Sequence, residues 1–214
     1  MNRNILYSID YQYFGSIDYI LNLINYTNIC FLSNEQQQKT MHLNRTWLYG
    51  PNNLVGLSIP LKGGRNAKQL IRDIQVADDP AWKRIHWRTL HDCYRKSPWF
   101  DEYAAELRTF YEADHKFLAD WCRSSCEWVL EKLGKNTDIL TEYSDAAEII
   151  QVSYEQNPVS QVPQGYPLYQ QVFSERRGFA ANLSILDLLM NEGPLSFSYL
   201  DSCTTYKKSA GNSR

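Results

Sequence analysis

Between residues 79 and 134 the chain is punctuated three times for helix, and this block limits the fold more than any other feature. Asp79-Pro80 sets a capping side chain ahead of a proline, whose missing N–H costs nothing in a first turn. Trp82, Ile85, His86, Leu90 and Cys93 then fall roughly on one face. Ser97-Pro98 repeats the start signal. Asp101 and Glu102 follow where the helix dipole favours negative charge, and Tyr103, Leu107 and Phe110 continue the helix. A third helix runs from about His115 to Leu133, with Phe117/Leu118, Trp121/Cys122, Ser125, Trp128/Val129 and Leu133 near the helical period. Gly134 stands where a left-handed cap belongs.

The flanks read as short strands and loops. Ser16 to Ile24 looks helical, Asn28 to Leu32 extended, and 34–39 an exposed polar loop. In Leu54 to Leu61, Val55, Leu57 and Ile59 alternate with Gly56 and Ser58, as on a half-buried strand, and Pro60 ends the ladder. Leu70 to Val76 is expected to return as its hairpin partner across Gly63-Gly64, although Arg72 interrupts the apolar face. Further β-prone segments lie around Ile139 and from Ile149 to Tyr154, and residues 156–168, with three prolines, read as an extended loop. Ser184 with Asp187 three residues on is a capping-box-like start for a short helix that Gly193-Pro194 stops. The polar end, 201–214, is expected to fray. No βαβ rhythm is visible. The expectation is therefore an α+β fold, a central helical cluster flanked by short, mostly antiparallel strands, forming one domain over 1–200. A chain of 214 residues buries roughly 70% of its unfolded surface and needs no metal or disulfide to do so.

A net charge of -2 lacks the basic surplus of a nucleic-acid binder. No stretch reaches the ~18 apolar residues of a membrane span. Met1 to Gly15 has no basic start followed by an apolar run, so the expected location is cytoplasmic and the five cysteines are expected to be reduced. Asn44 and Asn182 match the glycosylation pattern only by chance in that setting. Dinucleotide, phosphate-loop and nucleophile-elbow patterns are missing, and the sequence names no cofactor. Cys122 and Cys126 share a helix face, but no second pair has ligand spacing, and no metal site is expected. The 15 tyrosines and 6 tryptophans suit sugar- or base-binding clefts, and equally suit cores.

Several stretches resemble one family. Lys39 to Arg45 looks like a basic–aromatic–Asn-Arg segment, and Ser58-Ile59-Pro60 before Lys62-Gly63 looks like an Ile-Pro strand end. Trp82, His86, Tyr94 and Ser97-Pro98-Trp99-Phe100 form a third match. Tyr169 to Phe173, Gly178-Phe179 and Asn182 to Pro194 form the fourth. In this order they resemble the WbqC-like family over about residues 5–200. Many members open with a Gln-Pro-Tyr-Phe-Pro-like segment, where this chain has Asp10-Tyr11-Gln12-Tyr13-Phe14-Gly15, keeping the aromatics without the prolines.

The resemblance implies a role near surface-polysaccharide (O-antigen) assembly, with acyl or aminoacyl transfer to a nucleotide-linked amino sugar as the reaction. A non-catalytic scaffold for glycan enzymes and a nucleotide-sugar-binding regulator are the alternatives. For the transferase, His86 is the candidate base, against a hydrogen-bonded core histidine. Asp187 is the candidate that orients it, against a plain helix cap. Asn44 and Arg45, joined by Lys39, Lys62 and Arg65, are candidates for gripping phosphate, against a solvated basic loop. Tyr11 and Tyr13 are candidates for stacking on a sugar or base, and Asn182 for binding substrate or capping the last helix. Trp99 reads as core. No serine or cysteine is placed as a nucleophile, which leaves direct attack by the substrate amine.

Overall fold

The structure is a computed structural model that describes residues 5–26, 28–34, 36, 43–64, 69–135, 139–140, 148–158, 162 and 164–211. Strand β1 (Ile5–Ile9) leads through an aromatic loop into helix α1 (Ile17–Asn25), whose cap, Ser16, accepts the Tyr19 N–H on its hydroxyl. Strand β2 (Ile29–Phe31) then returns parallel to β1, pairing Tyr7 with Ile29 and Ile9 with Phe31. Strand β1, helix α1 and strand β2 thus form a βαβ unit, which the sequence did not suggest. β2 is three residues long and buried on both faces, so it leaves no alternation to detect.

Strands β3 (Arg45–Tyr49) and β4 (Leu54–Ser58) form an antiparallel ribbon closed by the Gly50 N–H on the Asn53 carbonyl. β4 pairs with β3, not with the 70–76 segment. That segment contains a 3-10 turn, Ile71–Asp73, because Ile71 and Ile74, three apart, are both fully buried, with Val76 following them into the core. It touches the end of β4's run only at the Leu61–Val76 bridge and the bonds beside it.

Helices α2 (Ala81–Tyr94), α3 (Phe100–Glu112) and α4 (Leu118–Lys132) follow as the punctuation predicts. Asp79 accepts the Ala81 N–H at 2.9 Å, and Gly134 takes φ +65° after α4. On α2 the inward residues are Trp82, His86, Leu90, Cys93 and Tyr94, whereas Ile85 is 56% exposed.

Short strands β5 (Ile139–Leu140) and β6 (Glu148–Gln151) complete a sheet of order β5-β2-β1-β6. All three of its ladders are parallel. The α+β class stands, but the antiparallel expectation holds for the ribbon and not for the larger sheet.

A single turn, α5 (Ser174–Arg177), precedes α6 (Ile185–Glu192), which packs against α1, α3 and β3 and has every residue from Ile185 to Asn191 buried. After it, Gly193 takes φ +52° with its Cα against the Trp99 ring, where an added Cβ would lie 2.2 Å from ring carbon. The last helix, α7 (Ser196–Gly211), carries the chain past 201, where fraying was expected. Tyr199, Leu200 and Cys203 anchor it, and Lys207 pairs with Asp18 of α1. No helix among the described residues is long and apolar enough to cross a membrane.

Candidate functional site

In a parallel sheet the carboxyl ends of the strands gather loops on one edge, and ligands favour the place where strand order reverses. Here that place lies between β1 and β6. The chain moves from β1 to β2 and outward to β5, then returns to β1's other side as β6. The loop leaving β1, 10–15, is fixed there from several directions. Tyr13 N–H donates to the Leu43 carbonyl and Phe14 N–H to Ser125 Oγ, while the Phe14 carbonyl accepts Thr46 Oγ and Ser184 Oγ. Phe14 sits at φ +41°. Gly15 is required beside it, because a Cβ there would come within 2.3 Å of the Tyr19 ring.

Helices α1 and α6 meet at their starts on this loop. Ile17 N–H donates to the Leu183 carbonyl and Ile185 N–H to that of Gly15, both at 2.9 Å. Asn182, at φ +57°, accepts the Asp18 N–H and donates to the carbonyls of Glu155 and Asn157. Its amide therefore ties its own segment to α1 and to 155–157, with both of its N–H donors used. A shallow crevice of about 10 Å³, room for roughly one water, opens above it, lined by Gln12, Ser16, Arg45, Thr46, Trp47, Gln156, Asn182 and Ser184. Arg45, half-buried, donates from Nε to Ser58 Oγ at 3.1 Å and lies 5.4 Å from the Trp47 ring centroid. Beside it, sharing Gln156, a recess of about 310 Å³ is lined by Asp10, Gln151, Val152, Ser153, Tyr154 and Gln156.

The structure brings Arg45 and Asn182 to one cleft and sends most other candidates elsewhere. Tyr11 and Tyr13 are buried: Tyr11 stacks on Phe31, and the Tyr13 hydroxyl meets His86 Nδ1 at 3.0 Å and the Tyr111 hydroxyl. His86 is 3% exposed, and burial lowers its pKa to about 4 despite a hydrogen bond to the Ser58 backbone. It is thus a neutral ring with internal partners, one residue removed from Arg45 through Ser58. Asp187 faces inward and does not close a capping box. It accepts from Tyr94 at 2.9 Å, Tyr169 at 2.6 Å and Gln171 at 3.1 Å, while burial raises its pKa to about 6. Its contact on α2 is Tyr94, eight residues or ~12 Å of helix beyond His86, so the expected pair is two separate clusters. Asn44 ties β3 to the end of β4's run through the Ile59 carbonyl, and Lys62 pairs with Asp78 on an exposed turn. Lys39 and Arg65 lie outside the described residues.

Sequence reasoning passed over Asp10, Gln12, Gln151 and Gln156. The signal available for Asp10 was its place, a carboxylate directly after the apolar run of β1.

The architecture defines an α+β protein with a polar groove at the carboxyl edge of a small parallel sheet. The model of the WbqC-like protein family matches residues 12–157, most of the chain, and the protein belongs to that family. The match opens at Gln12 and closes after Gln156, two residues of the groove, and leaves the Tyr169 to Pro194 run outside it. No curated protein and no solved structure matches the chain.

Proposed function

We propose that this protein is a cytoplasmic transferase of surface-glycan biosynthesis that moves an acyl or aminoacyl group onto a nucleotide-linked amino sugar. The observation that carries the reading is the convergence of Arg45, Trp47, Gln12 and Gln156, from three separate segments, at the carboxyl edge of the parallel sheet. A guanidinium beside an indole suits phosphate and a nucleobase, and the glutamine amides suit sugar hydroxyls. The cysteines are poor nucleophiles: all five are buried, and burial pushes the thiols of Cys93 and Cys126 up to about 12. Transfer is therefore direct. The amine first gives up its ammonium proton to solvent, its nitrogen then bonds to the acyl carbon, the donor's leaving group departs with the electron pair of the broken bond, and the second surplus proton passes to solvent. In this reading His86 holds Tyr13 and the Ser58 end of the ribbon in place and is a positioning residue, and Asp187 fastens α6.

A thermal-shift panel tests this reading. Nucleotide amino sugars, other nucleotide sugars, acyl-coenzyme A species and free amino acids are added to the full chain. A ligand at 100 times its Kd adds about 2.7 kcal/mol, and each kcal/mol moves Tm by roughly 2–4 °C. The expected result is a shift with a nucleotide amino sugar that Arg45→Ala removes. A flat panel would defeat the transferase and leave the scaffold.

A further inference from the structure

Four buried side-chain polar atoms lack a hydrogen-bond partner among the described residues: Ser8 Oγ, Asp10 Oδ1, Gln69 Nε2 and Arg123 Nε. Two of them, on Ser8 and Asp10, lie two residues apart and therefore on one face of β1's run. Asp10 is only 8% exposed. Its Oδ2 accepts the Tyr154 hydroxyl at 3.2 Å, and its main-chain carbonyl accepts the Tyr19 hydroxyl at 2.9 Å, but Oδ1 accepts nothing. A buried carboxylate with an empty oxygen is among the most unfavourable groups a fold can carry without a use for it.

The recess says what that use is. It lies at the switch point between β1 and β6, and Asp10 is lined up there with the amides of Gln151 and Gln156, with no lysine or arginine among the described residues of the lining. An ionised carboxylate only accepts hydrogen bonds, so its complement is a donor, and a charged donor compensates it best. No group of three or more His, Cys, Asp or Glu among the described residues is placed to hold a metal ion, and the lining of one carboxylate and two amides suits an organic cation. A primary ammonium has three donors on one atom, enough for Asp10 Oδ1 and two glutamine carbonyls.

We propose that this recess is an ammonium subsite in which Asp10 takes the free primary amine of the ligand while Gln151 and Gln156 hold neighbouring hydroxyls. The sugar part of this assignment rests on the function proposed above, but the ammonium part does not. The subsite also gives the groove two chemically opposite ends, a carboxylate at Asp10 and a guanidinium at Arg45, joined by Gln156. A nucleoside-diphosphate amino sugar carries the matching charges in the matching order.

Calorimetry on the full chain with five probes separates the two claims: glucosamine, glucose, and the uridine diphosphate conjugates of glucosamine, N-acetylglucosamine and glucose. The expected result is binding of each free-amine probe about tenfold tighter than its neutral counterparts, the scale of one charge-assisted bond. Asp10→Asn, which keeps an acceptor for Tyr154, is expected to abolish that preference. Equal affinities for the three conjugates overturn the subsite and leave the nucleotide-sugar reading standing. Asp10-dependent binding of glucosamine with no binding of any conjugate does the reverse, and silence from all five probes removes both. Should the variant fail to fold, the carboxyl carbon signal of Asp10 in the unaltered protein decides. Its movement on addition of glucosamine but not glucose supports the subsite, and its indifference overturns it.

Discussion

Asp10 and Asp187 are both carboxylates taken out of water, and burial raises the pKa of each. They differ in their company. Asp187 is wholly enclosed and receives three donors, two of which, Tyr169 and Gln171, come from the loop before α5. Asp10 is buried beside the recess, with one donor on one oxygen and, among the described residues, none on the other. A saturated buried acid works as a fastening, since every partner it collects fixes a segment. An unsaturated one at a recess has binding capacity that the fold does not use. The His86 cluster falls on the first side, with its ring held by Tyr13 and the Ser58 backbone.

The sharpest way to break this comparison is at Asp187. Replacing it with alanine leaves the hydroxyls of Tyr94 and Tyr169 and the Gln171 amide buried without their shared acceptor. The expected loss is about 3–5 kcal/mol, read by urea unfolding, with Asp187→Asn losing much less. If Asp187→Ala were as stable as the parent, the cluster would not be a fastening.

The next effect is of similar size and appears only with pH. Asp187 titrates at about 6 in the folded chain against 3.8 as a free side chain, so its contribution is present in acid and disappears as pH rises through 6. His86 titrates at about 4 against 6.5, so its contribution is present above 6.5 and disappears as pH falls through 4. Each is worth about 3 kcal/mol, and over pH 4–6 they oppose each other. Removing one exposes the other. Relative to the parent, Asp187→Asn should gain stability between pH 4 and 6, and His86→Gln should lose it over the same range. Curves parallel to the parent's in both variants would show that neither group is held as described.

What could be read from the sequence follows the same division between local and assembled features. The three central helices announce themselves because proline, glycine and capping residues act within one turn of where they stand. The parallel sheet does not, since β2 and β5 have three and two residues and their partners are distant in sequence. The helix through 201–211 is hidden for another reason. Its Ser-, Thr- and Lys-rich surface shows little periodicity, and Tyr199, Leu200 and Cys203 hold it by contacts made elsewhere. In the site, Arg45 was legible as a charge in an unusual context. Asp187 was singled out as the residue that orients His86, with a helix cap as the plain alternative, because nothing local says that its carboxylate turns inward to Tyr94, Tyr169 and Gln171. Asp10 was missed because lacking a partner is a property of the assembled fold.

A smaller effect is expected at Tyr13, whose hydroxyl lies between His86 Nδ1 and the Tyr111 hydroxyl. Tyr13→Phe removes that oxygen and keeps the ring, for a loss of about 1–2 kcal/mol. Arg45-dependent ligand binding, the property of the open edge, should be unchanged. A Tyr13→Phe protein that folds normally but no longer binds would move the His86 cluster into the site itself.

The smallest effect on stability is expected at Asp10, and its sign is the informative part. Asn at this position still accepts the Tyr154 hydroxyl and the buried charge is gone, although its NH2 then takes the place of Oδ1. Burial raises the Asp10 pKa more strongly than the Tyr154 bond lowers it, so the ionised form is less favourable in the folded chain than in the unfolded one. Asp10→Asn should therefore leave stability unchanged or raise it by up to about 1 kcal/mol. Urea unfolding at pH 7 measures this directly, and the gain should shrink as pH falls and Asp10 in the parent takes up its proton. A stabilised variant is what a residue kept for binding produces, because the fold is relieved of a group it does not need. A loss above about 2 kcal/mol would instead place Asp10 beside Asp187 as a fastening with an unseen partner, and the contrast between the two acids would be gone.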